Sequence, residues 1–417
     1  MKKIELLAPA GNLLKMKTAF FYGADAVYLG IPDFSLRVRI NDFNLKTLQT
    51  GVEYAHKLKK KVYVTVNIFA HNQHFKKLPA YLKRLKELKV DALIISDPGI
   101  ISLVKRVWPS AEIHLSTQAN CTNLEAVKFW AKQGVKRIIL GREVTLKEIK
   151  EIHRAVPKIE LEYFIHGAMC MAYSGRCFLS KLFIGRSANL GDCAQPCRWE
   201  YDVKEYSLKT ANHEEELELV EEKHGSYLLN SKDLCLVKEI RELAASGIVS
   251  FKIEGRAKSV YYQATVISIY ARALNLLAKK MPIVKLNLEL KYLYKELETK
   301  LVHRGYTTGF LLGEKADQNE LNSHNKSAWE FCGQVIDCKN KKIRVQVHNT
   351  IKAGESVELI MPNYDIIKLR VDKIFDEKNG LEISEAHGGG GGQIISLILP
   401  EEISEIPALV VLRRLAA

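Results

Sequence analysis

Four cysteines fall within 28 residues, Cys170, Cys177, Cys193 and Cys197, in the runs HGAMCMAYSGRC and GDCAQPC. Thiolates gathered this closely repel one another unless a cation or cluster neutralises them, and a backbone rich in glycine and serine can wrap an inorganic centre. The ligand spacing of six, fifteen and three intervening residues departs from common zinc sites, whose paired ligands stand about two to four residues apart. It suits the wider grip of an iron-sulfur cluster, and the ligand types leave Zn²⁺ open as the alternative. Arg176 and Arg198 adjoin ligands at the two ends of the run, where a guanidinium fork can hold a carboxylate or phosphate or simply form a salt bridge. The other four cysteines, Cys121, Cys235, Cys332 and Cys338, stand apart.

Such groups need a rigid frame, and the preceding sequence supplies one. Eight apolar runs of strand length, IELLAPA, AVYLG, KVYVTVN, ALIIS, IHLSTQA, RIILG, LEYFIHGA and VSFKIEGR, alternate with helical periodicity at Leu14 to Tyr22, Leu45 to Leu58, Leu78 to Leu88, Leu124 to Gln133 and Leu146 to Ala155. The alternation predicts an α/β chain with a closed, parallel, TIM-like (β/α)8 barrel, and a doubly wound open sheet is the alternative. Barrels of this kind carry chemistry on the loops after their strands. Those ends are polar here, including Asn67, Ser96-Asp97, Ser116-Thr117-Gln118, Gly141-Arg142-Glu143, His166-Gly167 and Glu254-Gly255-Arg256. Any one of them can be a turn or helix cap, so their convergence is the signal. His166 closes the seventh strand four residues before the first cysteine, a position for a proton shuttle or a structural hydrogen bond. Glu254 and Arg256 pair an acid with a base at the last strand's mouth, where Lys258 adds positive field.

The organisation read from these patterns is a barrel over residues 1–281 with the cysteine-bearing insertion at 169–248, a helical and irregular connection over 282–327, and a small antiparallel β-barrel over 328–417. The last part shows short alternating strands separated by turn signals such as Lys378-Asn379-Gly380, as a small barrel requires. Within the insertion, TANHEEELELVEEKHG is a solvated charged excursion. It only begins like a zinc-protease helix, because the second histidine position holds Leu217. No G-x-S-x-G elbow occurs.

A formal net charge of +14 and a pI near 9.2 favour an anionic partner such as nucleic acid. The N-terminal MKKIELLAPAGN lacks the apolar core of a signal peptide, and no uncharged run reaches the length of a membrane span. A soluble cytoplasmic protein without a membrane partner is expected. In that reducing compartment clustered cysteines bind metals more often than they form disulfides.

The segment EYFIHGAMCMAYSGRCFLS, with ELLAPAGN, GADAVYLG, FSLR, LSTQANCTN, GDCAQPCRW and FKIEGRAKS, closely resembles the peptidase U32 family, the collagenase-like proteases. The resemblance covers essentially the whole chain. Length and the CAQPCRW segment look most like the branch that hydroxylates tRNA, which implies 5-hydroxyuridine at wobble position 34 as the product. Other branches hydroxylate a cytidine of 23S ribosomal RNA, or a small aromatic ring in ubiquinone synthesis. The resemblance further implies oxygen-independent chemistry, prephenate as hydroxyl donor, and a 4Fe-4S cluster on Cys170, Cys177, Cys193 and Cys197, with Cys235 a candidate to replace one ligand. The two carboxylates of prephenate would meet Arg142, Arg176, Arg198, Arg256 and Lys258, with Arg37 and Gln118 at neighbouring strand ends. The anticodon stem-loop of tRNA already presents its bases unstacked. After FSLR this chain reads VRINDFN, which keeps Arg37 and Arg39 but departs from the family's usual arginine- and asparagine-rich run. The family's older label implies an endopeptidase instead. A third reading is a scaffold with a structural cluster, a homodimer or a heterodimer with a paralogue.

Overall fold

The computed structural model describes residues 3–32, 34–36, 42–170, 172–173, 177, 179–190, 192–199, 230–313, 317–319, 324–325 and 327–416. Strands β1 (Glu5–Pro9), β2 (Ala26–Gly30), β3 (Lys61–Val66), β4 (Ala92–Ile95), β5 (Ile113–Leu115), β6 (Arg137–Ile139) and β7 (Glu160–Ala168) pair in parallel in chain order. After the insertion come β8 (Asp233–Cys235) and β9 (Ile248–Ile253). Strand β9 pairs in parallel with both β7 and β1, so eight strands close into a barrel. The open-sheet alternative is thereby excluded. Helices follow the strands as the periodicity predicts, and several begin on a side-chain cap. Asp97 accepts from the Ile100 amide at 2.9 Å, and Asn123 and Thr145 cap their helices the same way. At Asp97 the polar strand end therefore serves a helix rather than chemistry.

The barrel interior is charged. Arg137 Nη1 donates to Glu5 Oε1 at 2.6 Å and to Glu162 Oε2 at 3.2 Å, and Lys252 Nζ donates to Glu162 Oε1 at 2.8 Å. Tyr63 and Ser250 join this cage by donating to Glu5, at 2.6 and 2.9 Å. These residues come from five different strands, so only the lumen can bring them together. Glu162 and Lys252 are almost wholly buried. Burial alone would raise the Glu162 carboxyl, but Lys252 and Arg137 overcome it and hold it below the usual carboxylate range.

Strand β8 runs antiparallel along the end of β7, with Cys235 opposite His166 and Asp233 opposite Ala168. The segment after the helix Ile283–Lys300 turns back to this point. Its strand β10 (Tyr306–Thr307) pairs with β8, and the Leu311 carbonyl accepts from Leu146 N. Residues 301–313 are thus part of the barrel's rim as well as a connection.

The C-terminal strands are β11 (Trp329–Lys339), β12 (Lys342–Val347), β13 (Ile351–Lys352), β14 (Ser356–Ile360), β15 (Ile366–Arg370), β16 (Ile374–Asp376), β17 (Glu382–Ile383), β18 (Glu385–Ala386), β19 (Ile394–Ile398) and β20 (Val411–Leu415). Eight of them form one antiparallel sheet in the order β15-β14-β20-β11-β12-β19-β16-β17, and β13 pairs with β18. They enclose a second apolar core that includes Val345, Leu359 and Leu397. Tyr22 locks this unit to the barrel, donating to the Ile360 carbonyl at 2.7 Å and accepting from Val411 N at 2.9 Å. The helix Val260–Ala278 lies between them, which is why so many of its residues are buried. Among the described residues no helix is long and apolar enough to cross a membrane.

Candidate active site at the barrel mouth

The insertion leaves β7 at Met169 and crosses the mouth. Arg198 Nη2 donates to the Met169 carbonyl at 3.4 Å, while Leu190 shares a surface cavity with His71, Asn72 and Gln73 in the loop after β3. In a ring of eight strands β3 stands opposite β7, so the insertion touches both sides of the opening, at Arg198 and at Leu190.

All eight cysteines are free thiols. Cys170 and Cys193 are exposed, and Cys177 and Cys197 are half-buried. Two donors converge on Cys193 Sγ, Ser180 Oγ at 3.7 Å and the Gln195 amide at 3.4 Å. Burial raises the Cys197 thiol and Arg198 opposes it, while Cys170, Cys193 and Cys177 each push it further up. The four sulfurs therefore share one electrostatic neighbourhood. Among the described residues no three Cys, His, Asp or Glu side chains converge tightly enough for one ion. A tetrahedral zinc with Zn–S near 2.3 Å needs its sulfurs about 3.8 Å apart, whereas a cluster interposes its own irons and sulfides between ligands. Four cysteines in one connection are a donor set that either centre could use.

Cys235 lies outside the insertion's cysteine run, in β8 opposite His166 of β7. It is buried in β8 with its sulfur 3.9 Å from the Tyr270 hydroxyl, and burial pushes its thiol up to about 12.

His166 faces away from the lumen. Glu162 and Phe164 point inward, and strict alternation would send His166 the same way. The pairing of β7 with β9 slips between Phe164 and His166, and this bulge turns the imidazole outward. Its ring lies among Tyr262, Tyr270 and Tyr306, with centroids 5.9, 5.6 and 5.5 Å away. Burial, then the nearby His303 and Lys258, lower its pKa to about 3. The expected shuttle into the cysteine cavity does not match this placement. A neutral buried histidine penalises folding once the unfolded chain can protonate, below its ordinary 6.5. Stability from this group is thus complete above pH 6.5. It is lost by about 1.4 kcal/mol per unit as the pH falls toward 3. His166→Phe should flatten that part of the stability profile, as measured by denaturant unfolding at stepped pH.

The remaining residues named from sequence divide by location. The Arg142 guanidinium carbon lies 3.9 Å from the Phe164 ring centre, and its buried Nε has no hydrogen-bond partner among the described residues. Gln118 Oε1 accepts from Asn67 Nδ2 at 3.1 Å and from Ser116 Oγ. Arg256 is buried and donates to Ser35 Oγ at 3.1 Å and to the Leu36 carbonyl at 2.8 Å, so it fastens the loop after β2 to the mouth. Glu254 is buried too. Its amide donates to the His166 carbonyl at 2.8 Å and its carbonyl accepts from Tyr262 at 2.8 Å. Gly167, at φ +110°, permits this crossing, since a Cβ there would sit 2.7 Å from the Glu254 oxygen. Lys258 is half-buried with Nζ 5.4 Å from the Tyr262 ring centre. Arg37 and Arg176 lie outside the described residues.

The sequence profile of Peptidase family U32 matches residues 11–321, and that of the Peptidase family U32 C-terminal domain matches residues 327–407. The chain belongs to peptidase family U32. Among its U32 relatives, tRNA hydroxylation protein P of Haemophilus influenzae is 39% identical over 96% of this chain and 94% of its own. The protein of that name from Escherichia coli is 41% identical over 88% of each chain. The 23S rRNA 5-hydroxycytidine C2501 synthase of Escherichia coli is 31% identical, over 91% of this chain but 55% of its own.

Sequence reasoning missed one charged pair at the rim of this U32 barrel. Arg304 is buried against Asp233 of β8, and its Nε donates to the Ser231 carbonyl at 2.8 Å. Burial lowers the Arg304 pKa, Asp233 opposes that, and the nearby Arg198 lowers it again, so two guanidinium groups share this side of the rim. The polar runs HRGYTTG and SKDLC carry the only signal of it in the chain.

Proposed function

We propose that this protein is an RNA-modifying hydroxylase that forms 5-hydroxyuridine at wobble position 34 of tRNA, without oxygen and with prephenate as the hydroxyl source. The observation that carries this reading is the 39% and 41% identity, along about nine-tenths of both chains, to tRNA hydroxylation protein P from two species. The ribosomal RNA synthase, by contrast, has much length that this chain does not span.

The mouth supports the same reading. Arg142 places a guanidinium beside the Phe164 ring, with its buried Nε without a partner among the described residues, a pairing of cation and aromatic ring that suits a carboxylate on a small ring-bearing donor. Arg198 and Lys258 add positive charge on the β7–β9 side, and Arg256 positions the loop after β2. Gln118 is held through its oxygen by Asn67 and Ser116 at the end of β5. Cys170, Cys177, Cys193 and Cys197 would hold a 4Fe-4S cluster, which supplies redox or Lewis-acid chemistry when bound. The insertion would exclude water, and His166 would brace β7 against the helix Val260–Ala278. The imidazole of His166 lies 3.4 Å from the Tyr270 hydroxyl, within a tyrosine cluster. The thiol opposite it, Cys235, is buried and pushed up to about 12, the reverse of the activated thiol a cysteine peptidase requires.

Nucleoside analysis of total tRNA from a deletion strain tests the proposal. Derivatives of 5-hydroxyuridine should fall sharply and return with the wild-type gene, and a strain unable to make prephenate should show the same loss. Unchanged levels in the deletion strain, with no second hydroxylation route present, would remove the function.

A further inference from the structure

The insertion carries exposed apolar side chains that its place beside a polar mouth does not explain. Leu182, Phe183 and Ile184 are consecutive in the short helix Leu179–Ile184 and are 76, 50 and 44% exposed. Trp199 is 36% exposed, and its ring centre lies 6.2 Å from that of Phe183, tilted by 45°. Large side chains gathered in water mark a contact surface. Among the described residues of the segment 169–199 the charges are Lys181, Arg186 and Arg198 against Asp192, which Arg186 pairs at 2.8 Å, so the segment carries net positive charge.

This face is also tied to the cysteines. Ser180 is buried on the same helix, accepts from Ala194 N at 3.0 Å and donates to Cys193 Sγ. Trp199 directly follows Arg198, which reaches the end of β7. Rings anchored in this way, beside cations and an opening, match the design of single-strand binders, in which aromatic faces stack bases and basic groups meet phosphates.

We infer that Phe183 and Trp199, flanked by Leu182 and Ile184, form a stacking platform for unpaired bases of an RNA loop, holding them while a neighbouring base enters the barrel mouth. This rests on the tRNA reading above and adds to it the residues that select a loop over a duplex. Charge complementarity favours RNA over a protein partner here.

Full-length protein titrated with a labelled anticodon stem-loop, and separately with a fully paired RNA duplex of equal length, tests the inference. Trp199→Ala and Phe183→Ala should each weaken stem-loop binding about tenfold, the scale of one lost base stack, with duplex binding nearly unchanged. Trp199→Phe should retain most of the affinity, and the iron content of all variants should equal that of the wild type. Unchanged stem-loop affinity in both alanine variants would overturn the platform, as would equal losses for stem-loop and duplex. Variants that keep RNA affinity but dissociate a wild-type oligomer would overturn it too, since the face would then be a protein interface. Wild-type protein that binds no stem-loop would overturn the tRNA reading together with the platform.

Discussion

Alanine at Cys193 is expected to remove the proposed iron-sulfur cluster and, with it, the proposed tRNA hydroxylation. Wild-type protein purified without oxygen should be brown and carry about four irons per chain. Cys193→Ala should be colourless, with iron near background. The expectation is strongest at this position because Ser180 Oγ and the Gln195 amide both donate to its sulfur and so fix where it sits. Cys235→Ala is the control. Its thiol is buried in β8 beside Tyr270 and is pushed up to about 12 by burial, so iron should persist. Metal analysis and visible absorption decide the matter: a wild type holding one zinc, or a Cys193→Ala that keeps its iron, refutes the ligand set. Loss of iron from Cys235→Ala alone would move the fourth ligand to β8.

Lys252→Met is expected to have the largest effect on stability. Lys252 is buried and donates to Glu162 at 2.8 Å, and Glu162 is wholly enclosed. Removing the lysine leaves a carboxylate in the barrel lumen with Arg137, at 3.2 Å, as its remaining cation among the described residues. Breaking a buried pair in this way costs about 3–5 kcal/mol. Replacing both members, Glu162→Leu with Lys252→Met, should recover much of that loss, because the desolvation penalty disappears along with the attraction. Thermal and denaturant unfolding of the single and double variants measure the coupling. A single variant as stable as the wild type would mean that water reaches Glu162 from the mouth.

The residues behind these two expectations differ in how far a linear chain reveals them. The cysteine run is visible because its chemistry is local: thiols a few residues apart in a small-residue segment need no fold to be recognised. The cage of Glu5, Arg137, Glu162 and Lys252 is not visible, since each charge lies inside an apolar strand and its partners are contributed by distant strands. His166 shows a third case. Its place at the end of β7 can be read from the chain, but its direction cannot, because one slipped residue in the pairing with β9 reverses the face. Arg256 and Glu254 can be placed at the last strand's mouth, yet their work is to fasten the loop after β2 and the end of β7.

Local pattern in the chain therefore prescribes the eight alternating strand and helix segments, the gathering of thiols in one connection, the basic charge and the family motifs. These follow from hydrophobic period, turn chemistry and composition. Only long-range packing makes β9 close the ring, carries the insertion across to the loop after β3, withdraws His166 from the lumen and fills the barrel with charges. Each of those depends on pairings between residues far apart in the chain, and a register or a lumen exists only once such pairings form.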